Sequence, residues 1–585
     1  MTQPPSGLTR RELLRRSALV AGALAAGGVP ASATGTAVAI PGAAGAGGGL
    51  LLQLARVWPS PSTTWLVDAL DETHMVFEDG SLEVLLWPGD RARLDAAAVR
   101  YEITVDDLIA RDTAEAAAAV GQRSSVAVQP GERADYRLLP DFEADIDALV
   151  AAHPGRARKF SLPHRTHEDR TVVGIEIASD VARNDGRPVF YMDGVHHARE
   201  WPSAEYPIMW AHDLLESYAT DARIRTVVDN VRTIIVPVMN PDGFHHSRTA
   251  VPDVQGAGNA ITGNAYWRKN RRNDKTSPLE AVRPGYSAHG VDPNRNYTYA
   301  WGGAGASGTT SSDTYRGPGP LSEPETMNVA HVLRTNHAAG MITNHTSGKL
   351  VLWAWSWTLD DLEEQTLVEG LGRTIAALNG YTPQKSIDLY IHTGVCVDYA
   401  YGTFSTISYT FEHESSFHPA YASTIPAGYA KNRPAYLMLT EEACLPPGLR
   451  PADAERTTAL SAVGLDPAAL RHAVVSGRLV DASGAPVAGT VRLTKSLATP
   501  LWFDGDGANP VGLSGVDEVI DTVIDTDAQG RFEYHVNPST RHVARRNGLT
   551  EAYTATFAAA GAGSATRSLV VERGEVVDLG AVVLG

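Results

Sequence analysis

Cysteine is nearly absent: the chain has two in 585 residues, Cys396 and Cys444. That excludes a disulfide framework and a cysteine-ligated zinc site, and leaves one optional bridge that spacing alone does not decide. Apolar runs long enough to span a bilayer are also missing, so no membrane span is expected. Positive charge is in deficit. Fifty Lys and Arg face 67 Asp and Glu, a net charge of −17, so a nucleic-acid partner is a poor reading. One local basic run, Arg268, Lys269, Arg271 and Arg272, reads as a solvated surface patch. What the chain does have is length. Its 585 residues exceed one hydrophobic core, so two to four domains are expected. A composition of 43% hydrophobic and 20% charged residues is that of a globular protein.

Residues 1–33 read as a targeting segment. A basic stretch holding Arg10, Arg11, Arg15 and Arg16 precedes an uncharged Ala/Gly/Leu/Val run and then Ala31-Ser-Ala33. Basic region, short apolar region and small-residue cleavage site together make a signal peptide. Arg10-Arg11, shortly before Leu13-Leu14, resembles a bacterial twin-arginine signal, which implies export and a secreted, extracellular protein.

The rest divides by pattern. Residues 34–135 hold a Gly/Ala-rich linker at 34–50, short strands such as 82–86 and 101–105, and a polar-small linker at 114–125. This α+β region is either a pro-segment covering an active site or a structural N-terminal domain. In residues 136–445, helical stretches at 142–152, 202–218 and 324–337 alternate with apolar runs at 172–177, 189–192, 233–238 and 340–343. That predicts an α/β domain with a mixed sheet flanked by helices. Residues 446–469 read as a linker. Residues 470–585 show short alternating strands at regular turn spacing, a β-sandwich pattern.

The chemistry begins at His196-His197-Ala-Arg-Glu200, after the apolar run 189–192. Residues three apart share one face of a helical turn, so His197 and Glu200 can reach one metal ion. Imidazole and carboxylate are zinc donors, and three protein ligands leave a position open for water. Alone, H-x-x-E is a weak signal. His196 has no acid three residues on. A second candidate fails: His413-Glu414 is followed by His418, one residue late for H-E-x-x-H.

Taken together, six segments resemble the carboxypeptidase A-type zinc carboxypeptidases. They are His197-Ala-Arg-Glu200-Trp, Trp267-Arg-Lys-Asn-Arg271, Gly290-Val-Asp-Pro-Asn-Arg-Asn296, Ser322-Glu-Pro-Glu325, Asn344-His345-Thr and Thr410-Phe-Glu412. Tyr390, Asp398 and Glu412 also keep the family's intervals of eight and fourteen residues. The resemblance covers about residues 136–445. It implies one zinc ion per chain on His197, Glu200 and His345, with Glu412 as general base. It further implies that Arg271 stabilises the oxyanion and that Asn294, Arg295 and Tyr390 hold the substrate's terminal carboxylate. Arg199 would line a more distant subsite, and Asp292 would accept from the second nitrogen of His197. Arg268 and Lys269 keep the surface reading.

By the same resemblance, the residue before Asp398 lies at the base of the side-chain pocket. It is Val397, which implies preference for apolar or aromatic C-terminal residues, because a basic side chain would bury an unpaired charge. The expected substrates are peptide or protein C-termini. Residues 470–585 resemble a transthyretin-like or regulatory-like domain that contacts the catalytic domain or another protein. The Asp504-Gly-Asp-Gly run reads as a plain loop. Two other functions stay open: a cell-wall peptidase on the same scaffold, and a non-catalytic binding protein.

Overall fold

The computed structural model describes residues 51–585, apart from 61, 64–65, 67–69, 78, 120, 123, 250–262, 274–288, 497–500, 504–509, 513–518 and 540–551. The export signal, the 34–50 linker and the Asp504 run lie outside the described residues.

The N-terminal region is a small α+β unit. Strands β1 (Gln53–Trp58), β2 (Asp71–Val76), β3 (Leu82–Leu86) and β4 (Arg100–Val105) form one sheet in the order β2-β3-β1-β4. Helix α1 (Asp90–Ala96) closes it, and Val57, Val84, Leu86 and Leu94 make its own small core. Helix α2 (Leu108–Ala118) follows. It takes in 114–118, which the sequence had suggested as linker. Asp107 caps its first turn through the Ala110 N–H at 2.9 Å, and alanine is the strongest helix former.

The central unit is built on an eight-stranded mixed sheet. Its strands are β5 (Ala157–Ser161), β6 (Val173–Ile177), β7 (Val189–Gly194), β8 (Arg232–Val236), β9 (Gly340–Thr346), β10 (Leu350–Trp353), β11 (Thr382–Lys385) and β12 (Ile407–His413). Their order is β11-β10-β12-β9-β7-β8-β6-β5. Every residue of β7, β9 and β12 is buried, because helices cover both faces. These helices are α3 (Leu139–Ala152), α4 (Pro202–Glu216), α5 (Ala222–Asn230), α6 (Pro241–Thr249), α7 (Pro324–Asn336), α8 (Gln365–Asn379), α9 (Cys396–Phe404) and α10 (Tyr421–Cys444). β7, β9 and β12 run parallel, so their carboxyl ends open together on one side, where ligand sites form in such sheets. Cys396 and Cys444 are both free and buried, so the optional bridge is not formed.

Residues 446–469 are more than a linker. They include helix α11 (Ala454–Ala462), whose Arg456 sits buried against Glu441 and Glu442 of α10. Beyond it lie sheets β18-β13-β21 and β17-β14-β19-β20. Their strands are β13 (Ala473–Val480), β14 (Thr490–Ser496), β17 (Val519–Asp525), β18 (Arg531–Val536), β19 (Tyr553–Ala559), β20 (Gly563–Leu569) and β21 (Val576–Val583), with β15 (Leu501–Phe503) paired to β16 (Pro510–Gly512). The core of the central unit continues into these sheets through Val536, Tyr553 and Val582. Asn537 donates to the carbonyls of Ala338 and Phe404 at 2.8 and 3.1 Å.

Candidate active site

The chain leaves the sheet at Gly194. A Cβ there would lie 2.1 Å from the Ser203 carbonyl oxygen, so only glycine fits. Val195 follows at φ 59°, a costly conformation for a β-branched residue. Its N–H is bonded to Ser203 Oγ at 3.0 Å, and that hydroxyl donates to the Glu200 carbonyl at 2.6 Å. These bonds fold 195–200 into a tight turn ahead of α4, with His197 and Glu200 on one side.

His345 arrives from the end of β9. His197 Nδ1 is 2.6 Å from Glu200 Oε1, and His345 Nδ1 is 2.9 Å from Glu200 Oε2. All three residues are at most 1% exposed, and one donor atom from each lies within 4.8 Å of the others. Against the cost of burial, the two imidazoles hold Glu200 well below the usual carboxylate range. Two nitrogens turned onto one buried carboxylate, with His345 Nε2 lacking a hydrogen bond among the described residues, fit the donor set and spacing of a zinc site. The far nitrogen of His197, Nε2, lies 3.2 Å from Asp292 Oδ1, which fixes the ring's orientation.

The structure corrects the reading of the basic run. Arg268 and Lys269 are 1% and 0% exposed. Lys269 Nζ donates to the carbonyls of Thr310 and Ser312 at 3.0 and 2.7 Å. Arg268 Nε donates to Asp292 Oδ2 at 3.0 Å, and its charge acts on His197, Glu200 and Glu412. Arg271 points away: its Nε bonds Glu168 Oε1 at 3.1 Å and its guanidinium lies over the Trp267 ring. The arginine facing the reacting groups is thus Arg268, not Arg271. An extended strap turns alternate residues to opposite sides, and the spacing of a basic run does not say which side is inward. The strap is clamped by Asn270, whose Nδ2 donates to Glu323 and Glu325 and whose Oδ1 accepts from Val291 N–H at 2.8 Å.

Arg199 is also placed otherwise than expected. It does not line an open subsite: it is buried, and its Nη1 donates to both oxygens of Asp71, at 2.7 and 2.6 Å. Asp71 opens β2, so the N-terminal unit seats a carboxylate on an arginine whose charge reaches Glu412.

The remaining predicted residues converge. Asn294, Arg295, Tyr390, Val397 and Glu412 line one cavity together with His197. Arg295 is fixed through the Gly305 and Asn294 carbonyls at 2.9 and 2.8 Å, with Nη2 3.2 Å from the Tyr390 hydroxyl. Asn294 Oδ1 accepts from Cys396 N–H at 2.8 Å. Glu412 sits on β12 directly across from His345 on β9. It is 5% exposed, and among the described residues its Oε2 has no hydrogen-bond partner. Burial pushes it up to about 8; His345 opposes that and Glu200 reinforces it. Glu414, its rival by type, instead accepts from the Tyr206 hydroxyl.

Sequence reasoning passed over His196. Its Nε2 is 2.7 Å from the Tyr297 hydroxyl, and its ring stacks on His345 with centroids 5.2 Å apart. No acid follows at the right interval, so the only available signal was its position beside His197.

A family profile described as zinc carboxypeptidase matches residues 142–432, about half the chain. Carboxypeptidase A5 of Macaca fascicularis is 24% identical over 346 residues, which cover 58% of this chain and 73% of that protein. A zinc carboxypeptidase of Saccharothrix mutabilis subsp. capreolus is 26% identical over 296 residues, covering 48% and 63%. The crystal structure of carboxypeptidase A from Helicoverpa armigera superposes with a TM-score of 0.54 at 20% identity, over 67% of this chain and 97% of that one, which speaks for the fold. The chain belongs to the zinc carboxypeptidase family and is a zinc metallocarboxypeptidase of the A type.

Proposed function

We propose that the protein removes single residues from the free C-termini of peptides, with His197, Glu200 and His345 holding the zinc and Glu412 as general base. The observation that carries this is the shared cavity, which Glu412 lines with His197 of the proposed zinc trio and with the Asn294–Arg295–Tyr390 group. His197, Glu200 and His345 would hold a zinc ion, which would lower the pKa of a bound water toward ~7 and polarise the scissile carbonyl. Arg295 pairs with the substrate's terminal carboxylate, for which a planar guanidinium is suited, and Asn294 and Tyr390 complete the grip. Glu412 takes a proton from the attacking water and returns it to the leaving amine. Arg268 stabilises the charge that grows on the carbonyl oxygen.

The side chain beyond the cut enters against Leu352, Leu389, Val395 and Val397, and among the described residues Glu412 is the only carboxylate lining the cavity. This supports apolar or aromatic C-terminal residues over basic ones. The N-terminal unit acts as a cover, because Asp71 occupies Arg199. The C-terminal sheets brace the catalytic unit. Residues 1–33 direct export.

The test is release of C-terminal Phe, Leu, Lys or Glu from matched peptides, with and without a chelator. Phe and Leu are expected first, with loss of all release on chelation. Internal fragments would exclude the exopeptidase reading. Glu412→Gln is expected to lower kcat by at least about a hundredfold with KM little changed.

A further inference from the structure

The strand that carries Glu412 ends one residue later. β12 stops at His413, and Glu414 turns away at φ 51°. Glu412 Oε2 has no hydrogen-bond partner among the described residues, so the aim of this carboxylate is set by its backbone, close to an end where strands fray. The neighbouring strands share this placing. β7 ends at Gly194, ahead of the turn to His197 and Glu200, and β9 ends at Thr346, just past His345. The base and the three metal-binding side chains thus hang from three neighbouring strand ends.

Side chains alternate between the faces of a strand, so Asn344 and His413 point to the face opposite His345 and Glu412. Both are wholly buried. His413 Nε2 lies 2.8 Å from Asn344 Oδ1, and Asn344 Nδ2 donates to the Asp193 carbonyl on β7 at 2.7 Å. A carbonyl only accepts, which fixes the amide: Oδ1 is the atom toward His413, and the Nε2–H of His413 donates to it. The other ring nitrogen, Nδ1, is 3.1 Å from the Tyr381 hydroxyl, which accepts from Asn432 Nδ2 at 2.9 Å and so turns its own proton to Nδ1. The Tyr436 hydroxyl stands off Nε2 at 3.4 Å, and Tyr206 of α4 lies against the ring with centroids 4.1 Å apart. Asn432 and Tyr436 belong to α10, so the imidazole is held from helix and sheet at once.

We propose that His413, through Asn344, is a positioning residue: the pair ties the ends of β12, β9 and β7 from behind and holds Glu412 in place before the metal-binding trio. The proposal rests on the carboxypeptidase reading above and goes beyond it by naming what aims the general base. Two residues that act through one shared bond give losses that do not add.

The experiment measures release of Phe from a blocked dipeptide by the zinc-loaded full chain. Every variant is also made in the Asp71→Ala form, so that the Arg199 contact does not decide the outcome. His413→Leu is expected to lower kcat by about tenfold to a hundredfold, the cost of misplacing a reacting group by ~1 Å, with KM within a few-fold. Zinc affinity, read by competition with a chelator, should stay within a few-fold, because none of the three ligands sits on β12. Asn344→Leu should lose a similar part of kcat, and the double variant no more than the larger single loss. His413→Gln, whose side-chain N–H can reach Asn344, should recover most of the rate. Full kcat in His413→Leu, or losses that add, would overturn the proposal. So would a fall in zinc affinity as large as the fall in kcat. Should His413→Leu fail to fold, Asn344→Leu decides alone, and full kcat there overturns the proposal. No release by the unaltered chain or its Asp71→Ala form would overturn the carboxypeptidase reading, and this role with it.

Discussion

At the residue scale, the sharpest question is which arginine works. Arg268 faces Asp292 and the reacting groups, while Arg271 faces Glu168. Arg268→Ala is therefore expected to lower kcat by about a hundredfold or more, the usual worth of a preorganised oxyanion donor. Arg271→Ala should turn over the same peptide within a few-fold of the unaltered enzyme. Equal losses in the two variants would reverse the assignment. The case shows where sequence reading holds and where it stops. His197 and Glu200 were legible because one local turn brings them together. The strap's facing was not, because it depends on Asn270 meeting Glu323 and Glu325, more than fifty residues away in the chain. Asp71 on Arg199 spans 128 residues and leaves no local pattern at all.

At the scale of elements, the N-terminus of α7 carries a pH-dependent strain. Glu325 is wholly buried there; burial, with Glu323 beside it, pushes it up to about 7. A carboxyl whose folded pKa is raised favours folding while protonated, and this contribution is lost as pH rises from the unfolded value through 7. Glu325→Gln removes that loss, so the variant should gain on the unaltered protein between pH 5 and 7 and keep a constant lead above it. The full difference is about 3 kcal/mol from a shift of that size. Urea titrations at pH 5 and pH 8 check it, and an equal difference at both would refute it. The β2 contact gives a second test. Asp71→Ala should raise the full chain's rate several-fold and make residues 119–135 easier to cleave by added protease. An unchanged rate would leave the N-terminal unit as scaffold. Strands β6 to β9 of the central sheet were legible to within a few residues from their apolar runs, whereas β5, β10, β11 and β12 were not marked. Helix α2 was not, because an alanine run lacks the hydrophobic periodicity that marks an amphipathic helix.

At the scale of the whole molecule, the C-terminal sheets share the catalytic core. Asn537 satisfies the carbonyls of Ala338 and Phe404, Thr522 Oγ1 donates to the Arg334 carbonyl, and Val536 and Val582 belong to the central cluster. A chain ending at 469 is expected to melt several degrees lower, or to aggregate through the exposed face, as calorimetry and light scattering would show. An unchanged melting temperature would mean that the two parts are stable separately. The sandwich pattern was legible in the sequence, but its bond to the catalytic unit was not, since alternating strands say which face is apolar and not what covers it. The pairing of these strands has one further consequence. β13 runs parallel to β21, its partner about a hundred residues later. Its other neighbour, β18, leaves it an open edge until β21 emerges. At ribosomal speeds of roughly 5–20 residues per second, β13 waits on the order of 5–20 s for that strand. Throughout that interval the nascent chain presents an unpaired apolar edge, so synthesis rate and chaperone supply bear on the yield of this enzyme.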